Sequence, residues 1–261
     1  MALPTLPEFS LKGKVAIVTG GGRGLGLEMS KALAESGASV AIMYVSNDKT
    51  KDTAAEIGKQ YNVDCKAYKA DIRNPDEVKQ VIDQIYKDYG AIDVLVANAG
   101  INSGGPTEEF DLKEWQKIMD VNVNGVFYSI QAVSKYMLEK KKGSIIITSS
   151  MSGHIANRPQ IQCGYNTSKG ATTMMAKALA TEWALKGIRV NALCPGYMRT
   201  DLLDNTFRDN PEWEKIWTDL TPMGRIGNPK ELRGAVVFLA SDASSFVTGI
   251  ELFVDGGYTC V

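Results

Sequence analysis

The sequence predicts a single α/β domain built on a doubly wound, seven-stranded parallel sheet. Three observations predict it. Seven short, mostly apolar runs rich in β-branched residues are spread along the chain, longer stretches of helical periodicity separate them, and a glycine-rich turn marks the first passage from run to helix. Strands covered by helices on both faces lose the polar alternation of half-exposed strands, which is why the runs read as nearly continuous apolar segments.

The strands are expected at 15–19, 39–44, 65–69, 94–97, 144–149, 189–193 and 251–254. Helices are expected at 24–36, 49–61, 75–89, 112–141, 165–186 and 229–241. Gly37 marks the end of the first helix, and Lys140, Lys141, Lys142 and Gly143 close the fourth as a solvated, dipole-compensating end. Alternation of strand and helix over 261 residues, without a linker, a repeat or a low-complexity stretch, gives one domain at 14–261 behind an N-terminal arm at 1–13.

Bulk composition excludes several functions. With 29 basic and 30 acidic residues the formal charge is −1, so no electrostatic pull toward nucleic acid or an anionic membrane is expected. One histidine and four scattered cysteines (Cys65, Cys163, Cys194, Cys260) without close pairing make a metal site unexpected. The cysteines read as reduced thiols. The start MALPTLPEFSLKGK has no apolar signal core and no run approaches membrane-spanning length, so a soluble, cytoplasmic protein is expected.

The first strand runs into Thr19-Gly20-Gly21-Gly22-Arg23-Gly24-Leu25-Gly26, with a helix directly after it. Such a turn brings backbone N–H groups and the positive end of the helix dipole to a pyrophosphate, and glycines keep side chains out of the way. A tight turn with no ligand is the plainer reading. Its position at the first βα turn of a Rossmann-like sheet favours a dinucleotide. The second strand ends Met43-Tyr44-Val45-Ser46-Asn47, with no carboxylate before Asp48 to repel a ribose 2′-phosphate. Arg23 can pair with that phosphate, and Ser46 and Asn47 add donors, so NADP(H) is the expected cofactor. Asp71 is a candidate acceptor for the adenine amino group or, equally, a helix N-cap.

Beyond the fifth strand lie Ser149, Ser150 and Ser152, then Tyr165 and Lys169 at i, i+4 on one helix face. An ammonium one turn away is expected to pull the tyrosine pKa down from about 10, making it an acid/base. A serine hydroxyl at the same oxygen would steady developing charge. Taken alone, such a pair is commonly two surface residues.

Together these motifs resemble the short-chain dehydrogenase/reductase family from Lys14 to Gly257. The ordered set is TGGGRGLG (19–26), NAG (98–100), VNVNG (121–125), SSMSG (149–153), YNTSK (165–169) and PGYMRT (195–200). The resemblance implies that Tyr165 is the proton donor and acceptor, and that Lys169 holds the nicotinamide ribose and tunes the tyrosine. It implies that Asn122 anchors a relay water, Asn98 supports the sheet beside the cofactor, and Met198 and Thr200 hold the carboxamide. Gly100, Pro195 and Gly196 complete the implied cofactor site. Counting from Gly153 makes Ser150 the catalytic serine, whereas the family's spacing back from Tyr165 points to Ser152. A two-residue insertion within 157–164 reconciles them, with Ser150 preferred because it stands at a rigid strand end.

The stretch between serine and tyrosine carries Ser152, His154, Asn157, Gln160 and Gln162 as candidate substrate contacts, suited to a hydroxyl-rich ligand or, as plainly, to a wet rim. SMSGHIAN (150–157), PMGR (222–225) and DGGY (255–258) resemble fungal NADP-dependent mannitol, sorbose and xylulose reductases. The implied reaction is therefore reduction of a ketose to a polyol and the reverse. A 3-oxoacyl-carrier-protein reductase or general carbonyl reductase shares nearly every motif. A non-enzymatic NADP-sensing regulator would lack the Ser/Tyr/Lys set. The segment 200–223, with Trp213 and Trp217 at i, i+4, reads as a helical lid, or as a docking face for core or partner. The C-terminal strand and tail resemble the family's subunit contact, implying a homotetramer.

Overall fold

The computed structural model describes residues 6–261. Of the expected N-terminal arm, residues 1–5 lie outside that range. The remainder is docked on the domain, with Leu11 fully buried and its N–H bonded to the Ser36 carbonyl at 2.8 Å.

Seven parallel strands form one sheet in the order β3-β2-β1-β4-β5-β6-β7. They are β1 (Val15–Thr19), β2 (Ser39–Tyr44), β3 (Cys65–Lys69), β4 (Val94–Ala97), β5 (Gly143–Thr148), β6 (Ile188–Pro195) and β7 (Glu251–Val254). The helices are α1 (Gly24–Glu35), α2 (Thr50–Tyr61), α3 (Pro75–Tyr89), α4 (Leu112–Met119), α5 (Gly125–Lys140), α6 (Cys163–Trp183), α7 (Asp201–Asp209), α8 (Pro211–Leu220) and α9 (Leu232–Ala240). Chain order reverses between β1 and β4, which opens a crevice at the carboxyl ends of the strands.

Alternation along each strand feeds two cores. Ile17, Met43, Leu95, Ile145 and Ile147 pack with Ile82, Ile85, Ile130, Val133 and Ala176 of α3, α5 and α6. Ala16, Val18, Ile42, Val94 and Val96 face the other way, onto Met29, Leu33, Ile57, Val236 and Leu239 of α1, α2 and α9. Each fully buried Leu or Ile contributes roughly 1.5–3 kcal/mol, so the central strands are stabilised from both faces.

Local chemistry sets the helix ends. Asn74 caps α3, its side chain accepting from the N–H groups of Asp76 and Glu77, Pro75 pre-sets the first turn, and Gly90 ends the helix at φ 74°. This corrects the N-cap reading of Asp71.

The sequence-based expectations need four further corrections. The edge strands β3 and β7 are only half-buried, because one side of each lacks a neighbour. β5 begins one residue earlier than expected, β6 is longer at both ends, and α6 starts at Cys163 and passes into a 3₁₀ turn at Ala184–Lys186. The helix expected over 112–141 is two helices joined by a π-helical turn at Asp120–Asn124. Its end is not simply solvated. Lys140 reaches the buried Asp93 carboxylate at 2.5 Å, and Lys141, left-handed at φ 51°, is the cap in place of Gly143.

Candidate active site

The glycine turn joins β1 to α1 at the crevice. Gly20 (φ 65°) and Gly24 (φ 53°) adopt left-handed backbone, and a Cβ on Gly26 would lie 2.3 Å from the Gly20 carbonyl and 2.5 Å from Asn98 Nδ2. Helix α1 starts after Arg23 with no side-chain cap, leaving its first N–H groups to an anion. Asn98 straps the end of β4 to this turn: its Nδ2 donates to the Thr19 carbonyl at 3.0 Å, while the N–H groups of Asn98 and Ala99 both donate to Thr19 Oγ1. A cradle closed to any side chain and rimmed by free N–H groups fits a dinucleotide pyrophosphate.

At the end of β2, Tyr44 is buried with its hydroxyl on Asp48, and Ser46, Asn47 and Arg23 are exposed. Asp71 is bound by Arg73, whose guanidinium holds the carboxyl below its usual pKa. Leu25 packs against the core. Gly196 lies so close to Asp255 that a Cβ would meet its Cα at 2.7 Å, and Met198 bridges to Gly227. Thr200 caps α7, and its methyl is the nearest group to a Cβ built on Gly24, at 4.0 Å.

Tyr165 and Lys169 share a face of α6, with Lys169 Nζ 5.6 Å from the centre of the Tyr165 ring. The turn after β5 lies against that helix: a Cβ on Gly153 would stand 2.7 Å from the Lys169 carbonyl carbon. Ser149 is spent on this packing, bonded to the Lys169 carbonyl and Thr173. Ser150 Oγ accepts from the Ser152 N–H at 3.1 Å and is near enough to the Tyr165 phenol to lower its pKa, whereas Ser152 Oγ accepts from Gln162.

The expected acidic phenol is not what the structure gives. Burial raises the Tyr165 pKa, opposed by the Ser150 hydroxyl. Burial also pushes the Lys169 ammonium down to about 8, and it donates to the Thr148 carbonyl at 2.8 Å. Desolvation is the largest cause of both shifts.

Asn122, fully buried in the π turn, exchanges two hydrogen bonds with the Ile101 backbone and donates a third to Ser168. Its side chain is therefore committed to bracing. Gly100 lies between, since a Cβ there would be 3.3 Å from Asn122 Oδ1 and 3.6 Å from Lys169 Nζ.

Asn157 and Gln162 are buried and bonded to each other, and Gln160 joins them through Tyr197. Gln162 bonds Asn102, Asn157 and Asn166, and both Asn157 and Gln160 donate to the Tyr197 hydroxyl, at 3.2 and 2.6 Å. Tyr197, which sequence reasoning passed over although it stands inside PGYMRT, stacks on Trp217 of α8 at 4.0 Å and meets Tyr258 edge-on. The Trp217 indole N–H donates to the Arg158 carbonyl and Gln160 Oε1, pinning the α7–α8 segment to this loop. That segment is two helices broken at Asn210-Pro211. His154 stands apart, exposed, edge-on to Phe253 and 3.6 Å from Glu251 of β7.

A family model described as enoyl-(acyl carrier protein) reductase matches residues 20–259. A sorbose reductase of Candida albicans is 49% identical, over 98% of this chain and 92% of its own. An NADP-dependent mannitol dehydrogenase of Hypocrea jecorina is 41% identical, over 97% and 95%. The crystal structure of a gluconate 5-dehydrogenase from Burkholderia cenocepacia, in complex with NADP and tartrate, superposes with a TM-score of 0.92 at 38% identity, covering 97% of this chain and 98% of that one.

Proposed function

The chain belongs to the short-chain dehydrogenase/reductase family and is an oxidoreductase, and from that premise we propose that it reduces ketoses of the fructose, sorbose or xylulose type with NADPH and oxidises the polyols in reverse. The observation that carries the reaction type is the convergence of Ser150, Tyr165 and Lys169 where the turn after β5 meets α6.

With its pyrophosphate in the glycine cradle, a bound NADP(H) would supply or accept hydride at its nicotinamide. Tyr165 holds the proton on its phenol oxygen and gives it to the carbonyl oxygen as that becomes alkoxide. Its raised pKa keeps it protonated at neutral pH, the state reduction needs. Ser150 donates to the same oxygen and steadies the charge that develops there. Lys169, with a pKa near 8, can pass a proton near neutrality, and Asn122 braces the strand end behind it.

Gly20, Gly24, Leu25, Gly26, Asn98 and Gly100 would hold the dinucleotide, with Pro195, Gly196, Met198 and Thr200 at its carboxamide. Asp71, already paired with Arg73, would serve the adenine side. For the 2′-phosphate, Arg23, Ser46 and Asn47 are exposed around a strand end that lacks a carboxylate before Asp48. The names of the relatives, sorbose reductase and mannitol dehydrogenase, support a sugar or polyol substrate. The half-buried edge strand β7 is where a second subunit of a homotetramer would dock.

The test is an NADPH-consumption screen over fructose, sorbose, xylulose, ribulose, diketones and acetoacetyl thioesters. The expected result is ketose turnover that Tyr165→Phe abolishes while NADPH still binds, and a preference for NADPH over NADH that Arg23→Ala narrows. Turnover of thioesters without ketoses would overturn the substrate, and activity retained by Tyr165→Phe would overturn the acid/base.

A further inference from the structure

The amide network beside the active site has only one consistent direction. An indole N–H can only donate, so Gln160 must present Oε1 to Trp217 and therefore its NH₂ to Tyr197. At the other end a carbonyl can only accept, so Asn166 turns its NH₂ to the Ile155 carbonyl. Its Oδ1 must then take the Gln162 NH₂ at 2.9 Å. Gln162, so oriented, also gives to Asn157 Oδ1, which leaves the Asn157 NH₂ for Tyr197. Two one-way groups on opposite sides thus fix every amide between them.

Both amides donate to the same phenol oxygen. Tyr197 Oη receives Asn157 Nδ2 and Gln160 Nε2 and has both lone pairs occupied, so its own O–H must act as a donor. Burial raises its pKa, against the Gln160 and Asn157 hydrogen bonds that lower it and with the Tyr258 hydroxyl that adds to the rise, so the proton stays on it. Stacking on Trp217 and the edge-on contact with Tyr258 hold the ring, so the direction of that donor is set by the fold. Tyr197 follows β6, and Ser150 follows β5, its neighbour in the sheet. The two residues therefore follow adjacent strand ends at the carboxyl edge of the sheet, where the crevice lies.

We infer that Tyr197 is a specificity-determining residue, donating a hydrogen bond to a hydroxyl oxygen of the ketose away from the reacting carbonyl. Asn157 and Gln160 then act through Tyr197 by fixing its polarity and do not themselves bind substrate. The inference rests on the ketose reading above and names the group that distinguishes a sugar from a plain ketone. Tyr258 offers the alternative acceptor for the same proton.

The experiment compares kcat and KM, with NADPH, for fructose and for 2,3-butanedione, a carbonyl substrate with no hydroxyl. Tyr197→Phe keeps the ring and removes the donor. Gln160→Glu keeps nearly every atom but presents a carboxylate that can only accept, so the phenol proton must turn toward it and away from substrate. In both variants the ratio of kcat/KM for fructose to that for the diketone should fall roughly 10- to 100-fold, mostly through KM, as expected when a donor to a substrate hydroxyl is lost and buried partners go unpaired. An unchanged ratio in either variant overturns the inference. Should Tyr197→Phe fail to fold, Gln160→Glu decides alone. Wild-type enzyme that turns over the diketone and no ketose would overturn the substrate reading, and this inference with it.

Discussion

At Tyr165 and Lys169 the decisive effect is loss of water. A pair 5.6 Å apart invites the expectation that ammonium acidifies phenol, but desolvation of the half-buried Tyr165 and the buried Lys169 disfavours the charged form of each. The consequence for stability follows from the sign. Lys169 titrates near 8 in the folded chain against 10.5 ordinarily, so below pH 8 the fold carries a buried ammonium that the unfolded chain keeps in water. Lys169→Met should therefore melt above the wild type at pH 7, and the gap should close as pH rises from about 8 to 10.5. A gap independent of pH over that window, in thermal melts, would remove this cost. The spacing of the two residues was legible in the chain. The direction of their pKa shifts was not, because it depends on what covers them.

Among the elements, α3 and α5 are held by more than apolar contact. Asp83 of α3 accepts from Lys135 and from the Tyr136 hydroxyl, each at 2.7 Å, and Tyr86 stacks on Tyr136 at 4.1 Å. The lysine hydrogen bond does most to hold the Asp83 pKa down to about 2. A depressed carboxylate contributes stability above its unfolded value of 3.8, and that contribution is lost as pH falls toward 2. Asp83→Asn should cost about 0.5–1 kcal/mol at pH 7, with most of that difference gone near pH 2, as read by urea unfolding at both. The boundaries of α3 could be read from Asn74-Pro75 and Gly90. The π turn could not, since no proline or glycine lies between Leu112 and Asn124. Its apparent cause is Asn122 reaching across to Ile101 and Ser168, partners 21 and 46 residues away along the chain.

For the whole molecule, the two cores share the same strands, so neither face can melt alone, whereas α7 and α8 lie outside that shared support. Hydrogen exchange should show amides of β1, β4 and β5 opening together and last, and those of 201–220 first, with protection of the latter raised by NADPH and polyol together. Equal exchange in residues 201–220 and the central strands would contradict this layering. The sheet, its strand positions and the Tyr165–Lys169 face followed from apolar periodicity and from helical spacing. The polar network escaped because Asn102, Asn157, Gln162, Tyr197 and Trp217 meet only after the chain has folded, and local patterning carries no trace of such a meeting.

The bond from the Trp217 indole to Gln160 has a practical side. Anyone exchanging residues 157–162 would have to exchange 211–220 with them as one cassette, since either half alone would arrive without the counterpart that orients it. The turn after β5 and the first turns of α6, which pack on each other, could stay untouched beneath the graft.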